Sequence, residues 1–170
     1  MDLAQAQQLA CELMAHHGVT EAGWVFGWSN GKRQLGCCQM REAISGPRKG
    51  KRVKSIKLSR HLVRLNDDDE VRDTILHEIA HALAGLDHGH DEVWKATCLR
   101  IGARPDRTAG KEVKTVQGRY SIVCQACQRV VGQRHRRIEP RRLKQSYCKT
   151  CGLKSKGMLI VRDAKIESKP

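Results

Sequence analysis

The chain has 170 residues, a formal net charge of +14, 39% hydrophobic residues and only 4% aromatics. That length holds one domain or two small ones. The opening MDLAQAQQLA lacks the basic and apolar segments of a secretory signal. No apolar run approaches the roughly 18 residues that cross a bilayer, the longest late one being Met158-Leu159-Ile160-Val161. Secretion and membrane insertion are thereby set aside, and the expected setting is cytoplasmic, nucleoid-associated in a bacterium or phage and nuclear in a eukaryote.

Leu3, Ala6, Ala10, Leu13, Met14 and His17 recur at helical spacing, which predicts a helix over 2–17 stopped by Gly18. Trp24, Phe26 and Trp28 then alternate, so they share one face of a strand. They read as core, because base stacking would need a basic surround that this part of the chain lacks. Ser29-Asn30-Gly31 predicts a hairpin turn into a second strand near 33–40. A Gly/Pro/basic loop at 45–51 precedes a third strand near 52–58.

The next element carries the chemistry. Asn66-Asp67-Asp68-Asp69-Glu70 supplies an N-cap and first-turn acids that suit a helix dipole. Val71, Ile75, Ile79 and Leu83 follow on one face, and Gly85 is a natural stop. His77 and His81 lie on roughly the opposite face, with Glu78 beside the first, forming an H-E-x-x-H. One helical turn stacks the two imidazoles so that both reach one Zn2+, and the Glu reaches the water such a metal activates. A catalytic zinc needs a third protein ligand, for which His88 and His90 are the candidates. The metzincin spacing does not apply, because Ala84 and Asp87 stand where Gly and His would be required.

Charge divides the chain. Residues 1–103 hold 14 Lys/Arg against 13 Asp/Glu, whereas 104–170 hold 18 against 5. So one-sided a module points to a polyanion such as DNA or RNA. The same half contains Cys124-x-x-Cys127 and Cys148-x-x-Cys151, separated by twenty residues, which is the spacing of a four-cysteine zinc ribbon. Four thiolates close the coordination sphere, so this zinc is expected to be structural. Arg129, Arg134, Arg136, Arg137, Arg141, Arg142 and Lys144 lie between the knuckles with Glu139 as the sole acid, and they are the expected nucleic-acid contacts. His135 reads as an ordinary loop residue, and Cys11, Cys37, Cys38 and Cys98 as small core residues or inert thiols.

HEIAHALAG followed by GHDEVWK resembles the SprT-like, Spartan-related zinc metalloproteases, in which the H-E-x-x-H is followed by a Gly-His and an aromatic four residues further on. Gly89-His90 with Trp94 fits that register, so the resemblance implies His90 as third ligand and leaves His88 as a spare. The residues after it, Asp91, Glu92 and Val93, depart from the small or Pro residue and acid often found there. The order of hairpin, metal helix, following helix and four-cysteine ribbon agrees over roughly residues 20–160. The implied fold is α+β: a zincin-like minimal metalloprotease domain of helices and a small antiparallel sheet at 1–102, a connector at 103–118, a basic β zinc ribbon at 119–163 and a disordered tail at 164–170.

The expected function is a zinc-dependent endopeptidase with one catalytic and one structural Zn2+ and Glu78 as general base. As the family implies, it would be DNA-dependent, acting on DNA-bound or DNA-crosslinked proteins; a monomer is expected. Its DNA would be single-stranded or of no particular sequence. The alternative is a non-catalytic, zinc-containing nucleic-acid-binding or regulatory protein. Glu78 separates the two, since a purely structural site has no use for a general base. Tyr120 and Tyr147 both fall in the basic module, and nothing in the sequence places either beside the metal helix.

Overall fold

A computed structural model of the chain describes residues 1–47, 49–106 and 114–163. It divides into two compact units, Met1–Val116 and Gln117–Pro170. Both are small α+β or β assemblies, and no helix among the described residues is long and apolar enough to cross a membrane.

The first unit opens with α1 (Leu3–His16), whose N-cap Asp2 exchanges hydrogen bonds with Gln5 in a capping box. Its buried stripe is Ala6, Ala10 and Met14. Strands β1 (Trp24–Ser29), β2 (Gly36–Glu42) and β3 (Arg52–Ser59) form one sheet in the order β1-β3-β2. Strand β1 runs parallel to β3, with Phe26 opposite Ile56, and β2 runs antiparallel to it, with Cys38 opposite Ile56.

The hairpin expected at Ser29-Asn30-Gly31 does not form, and the sheet is mixed rather than antiparallel. Two physical reasons stand out. Strand β3 carries the fully buried Ile56 and Leu58, whereas β2 is half-buried to exposed throughout, so burial favours β3 in the middle. The turn residues are also committed elsewhere: the Ser29 hydroxyl accepts from the Gly31 N–H, and the Ser59 hydroxyl at the end of β3 donates to the Gly31 carbonyl. The loop is thus drawn over β3, and β2 returns along its far side. Trp24, Phe26 and Trp28 do pack on the main core, and the Trp28 indole N–H donates to Gln7 of α1.

A short α2 (Arg60–Val63), capped by Ser59, leads to α3 (Asp68–Ala84). Asp67 is the N-cap, Asp68, Asp69 and Glu70 fill the first turn, and Gly85 ends the helix at φ 100°. Val71, Ile75 and Ile79 enter the main core, and Leu76 and Ala80 face a second, smaller one with Trp94, Cys98 and Ala103. The helix is therefore buried on two sides. Leu83, expected on the buried face, lies past the end of the core and is exposed. A 3-10 turn at Leu86–His88 then leads to α4 (Glu92–Ile101), whose N-cap Asp91 accepts from the N–H groups of Val93 and Trp94.

The stretch read as a connector begins inside this unit. Ala103 is buried, and Arg104 pairs with Asp73 and Glu70. Further on, the buried Asn66 side chain brackets Lys114, donating to its carbonyl and accepting from its N–H, and Val116 packs on the main core. Residues 107–113 and the tail 164–170 lie outside the described residues, as does Arg48 in the basic loop.

In the second unit β4 (Tyr120–Cys124), β5 (Val130–Arg134) and β6 (Leu159–Asp163) form an antiparallel sheet in the order β5-β4-β6. Its core is Ile122, Cys124, Leu143, Cys148 and Leu159. Two of those five are cysteines, so little apolar area is left to hold the unit together.

Candidate metal centres

The helical geometry of α3 brings His77 and His81 one above the other, and the Gly89 turn, at φ 55°, swings His90 back towards them. The His90 Nε2 lies 3.2 Å from the Nε2 of His77 and 3.2 Å from that of His81. A neutral His90 could share one N–H between the other two rings, and the same convergence also sets three ring nitrogens around one point. Ligands at the usual Zn–N distance in a tetrahedron are about 3.3 Å apart, so the cluster fits that ion. His88 is not part of it. Its Nδ1 pairs with Asp91 at 2.9 Å, and the other Asp91 oxygen caps α4.

The ring of Trp94 closes the site from beneath. It is fully buried and lies within 5.2 Å of all three imidazoles, stacked on His81 and edge-on to His77 and His90. Burial holds the pKa of both His77 and His81 down to about 4, so they are neutral and able to ligate well below neutral pH.

Glu78 is 7% exposed and points towards the start of β2. A Cβ built on Gly36 would lie 2.7 Å from the Glu78 Oε1 and Cγ and from the Thr74 methyl, so only glycine leaves the carboxylate its place. Desolvation raises the Glu78 pKa to about 7, opposed by a hydrogen bond from the Cys38 backbone N–H. These neighbours carry no spacing signal: Gly36 and Cys38 lie some forty residues upstream, and only the sheet order brings them to the helix. The thiols of Cys37 and Cys38 are both pushed up, first by burial and then by the Glu78 charge. Neither is a nucleophile in waiting.

A stability prediction follows for the metal-free chain. Between about pH 4.5 and 7 folded Glu78 keeps a proton that the unfolded chain has released, so stability falls as pH rises through that window. His77 and His81 act in the opposite sense, costing stability as pH falls from 6.5 towards 4. Glu78→Gln removes only the first effect. By chemical denaturation without metal, the variant should be about 2–3 kcal/mol more stable than wild type near pH 8, with the gain gone by about pH 4.

In the second unit the sulfurs of Cys124, Cys127, Cys148 and Cys151 lie within 4.8 Å of one another, with Cys127 and Cys148 3.8 Å apart. Tetrahedral thiolates on zinc are about 3.8 Å apart, so this group also fits the ion. The backbone N–H groups of Cys151 and Thr150 aim at the Cys148 sulfur and lower its pKa to about 7, while the crowded neighbouring thiols push that of Cys151 up. So close a group ionises fully only around a cation.

The seven cationic residues predicted between the knuckles are all exposed. Arg129, Arg134 and Arg142 line a cavity of about 710 Å³ that also contains Tyr147 and Lys149, two residues the sequence reading did not assign to it. Arg141 is paired with Glu139. Arg119 forks onto Asp163 and lies over the Tyr120 ring.

The sequence profile of the SprT-like family matches residues 5–117, a span that runs from the first turn of α1 through α4 and contains the whole three-histidine cluster. No curated protein matches the chain.

Proposed function

The chain belongs to the SprT-like family, and from that premise we propose that it is a zinc-dependent endopeptidase that cuts proteins bound or crosslinked to DNA. The observation that carries this reading is Glu78: a buried carboxylate of raised pKa, next in sequence to one of three converging histidines and held in place by a glycine. We read the first unit as a minimal zincin-like catalytic domain and the second as a zinc ribbon that docks on nucleic acid.

Zinc held by His77, His81 and His90 would supply a Lewis acid that polarises a peptide carbonyl and acidifies water. The chain's own residues do the rest. Glu78, ionised once a nearby cation offsets its burial, takes a proton from the attacking water and hands it to the leaving amine. Gly36 and the Cys38 N–H keep that carboxylate in one orientation. Asp91 caps α4 and so positions Trp94, whose ring supports the imidazoles. Gly36→Ala should therefore lower kcat/KM by about 10- to 100-fold while zinc content stays at the wild-type level, measured by peptide hydrolysis and metal analysis on the same sample.

The ribbon explains why such an enzyme needs little recognition of substrate sequence. Tethering on DNA raises the local concentration of any protein bound beside it. Arg side chains that contact phosphate carry no base code, which favours single-stranded or non-specific DNA and a steep salt dependence. We place the enzyme in the cytoplasm, on the nucleoid or in the nucleus, as a monomer. The test is cleavage of a DNA-binding protein by the zinc-loaded chain, with and without single-stranded DNA, at low and high salt. DNA-stimulated cutting that fades with salt and with Arg136→Gln/Arg137→Gln supports the reading. Zinc and DNA binding without cutting under any condition overturns it in favour of a non-catalytic DNA-binding protein.

A further inference from the structure

A second cavity, of about 380 Å³, opens on the first unit at the beginning of β2. Among the described residues its lining includes Lys32, Arg33, Arg41 and Lys57, and no Asp or Glu. None of these four cations forms an ion pair among the described residues, unlike Arg104, which is held by Glu70 and Asp73. The half-buried Trp28 and the buried Leu35 add an apolar wall.

The cavity is preformed. The loop that frames it is pinned by the Ser59 hydroxyl on the Gly31 carbonyl, by the Ser59 N–H on the Leu35 carbonyl and by the Gly31 N–H on Ser29. It also adjoins the reaction centre. Gly36 belongs to its lining and is the residue against which the Glu78 carboxylate rests. Cys37, also in the lining, feels the Glu78 charge.

We infer that this cavity is a substrate side-chain subsite for an acidic residue, an aspartate or glutamate close to the bond that is cut. The inference rests on the endopeptidase reading and names one of its specificity determinants. Four unpaired cations in a concave site concentrate positive potential. A carboxylate arriving there finds partners without displacing an existing acid. A nucleic-acid phosphate would satisfy the same charges, but the shared wall with Glu78 favours a group carried on the polypeptide being cut. Lys57 is the best-placed contact, since it is half-buried in the central strand, with its aliphatic stem lying across Gly27.

The test maps cleavage sites in an unfolded protein substrate by mass spectrometry, using the zinc-loaded full chain with single-stranded DNA. Wild type should enrich Asp/Glu about five- to tenfold at one fixed position relative to the cut. Arg33→Gln/Lys57→Gln should lose that enrichment while cutting acid-free sites within about twofold of wild type. Lys57→Arg should keep it, and Lys57→Glu, which sets a resident acid among the three remaining cations, should abolish it.

A parallel arm uses zinc-loaded Glu78→Gln and a fluorescein-labelled short peptide with one Glu, against its Gln twin, by anisotropy. Cutting with no acid preference overturns the subsite and leaves the endopeptidase intact. If nothing is cut, the endopeptidase reading falls, and the peptide twins then decide the subsite: equal affinities reject it, and a tighter Glu peptide upholds an acid-binding site. Loss of single-stranded DNA binding in Arg33→Gln/Lys57→Gln, with peptide discrimination unchanged, assigns the cavity to phosphate and overturns the proposal.

Discussion

Zinc-loaded Glu78→Gln should bind both metal ions and DNA as wild type does and cut protein at least about 100- to 10,000-fold more slowly. The substitution is nearly isosteric, so the amide fits against Gly36 and still accepts from the Cys38 N–H. None of His77, His81 and His90 loses its place. What disappears is the buried carboxylate, next in sequence to His77, that takes a proton from water and returns it. The measurement is kcat/KM on a DNA-bound protein, together with zinc content and melting temperature. A variant that cuts within tenfold of wild type would remove Glu78 from the mechanism. Because the same variant is expected to be the more stable one without metal near pH 8, inactivity cannot be laid to a failure to fold.

The second large effect belongs to the ribbon. Cys148→Ser should leave Gln117–Asp163 unfolded at neutral pH, with DNA binding lost and the melting transition of the first unit retained. A core of five buried residues, two of them the ligands Cys124 and Cys148, has little area to set against the ordering entropy of some fifty residues. Metal binding at such sites supplies an apparent 10 kcal/mol or more, roughly the whole stability of the unit. The Cys148 sulfur is also the one towards which Thr150 and Cys151 direct their N–H groups, so its loss undoes the second knuckle as well as one ligand. Loss of the amide dispersion of residues 117–163 in an NMR spectrum would register the change. A folded, DNA-binding Cys148→Ser would show that the metal is dispensable.

Local spacing made much of this legible. The H-E-x-x-H lies within one helical turn, and a turn fixes its own geometry. The four cysteines are likewise two knuckles whose internal spacing determines how their sulfurs converge. The strand order was not legible at that range. Ser29-Asn30-Gly31 is good turn chemistry, and nothing local tells that Ser59, twenty-eight residues on, takes the Gly31 carbonyl. The neighbours of Glu78 were hidden for the same reason, since Gly36 and Cys38 reach it only through the placing of β2. Asn66 reads as a helix cap until the structure shows it spent on Lys114, with Asp67 capping instead.

Trp94 gives the metal centre an optical reporter of its own. Its indole is shielded from solvent and touches all three imidazoles, whereas Trp24 and Trp28 belong to the other core. Protonated imidazole quenches indole emission on contact and neutral imidazole does so far less. Acid titration of the three rings and their capture by a cation therefore leave different marks on the same fluorophore. With Trp24 and Trp28 replaced by Phe, the intrinsic emission of an unlabelled chain would follow occupancy of the histidine cluster alone, blind to whatever the ribbon cysteines hold.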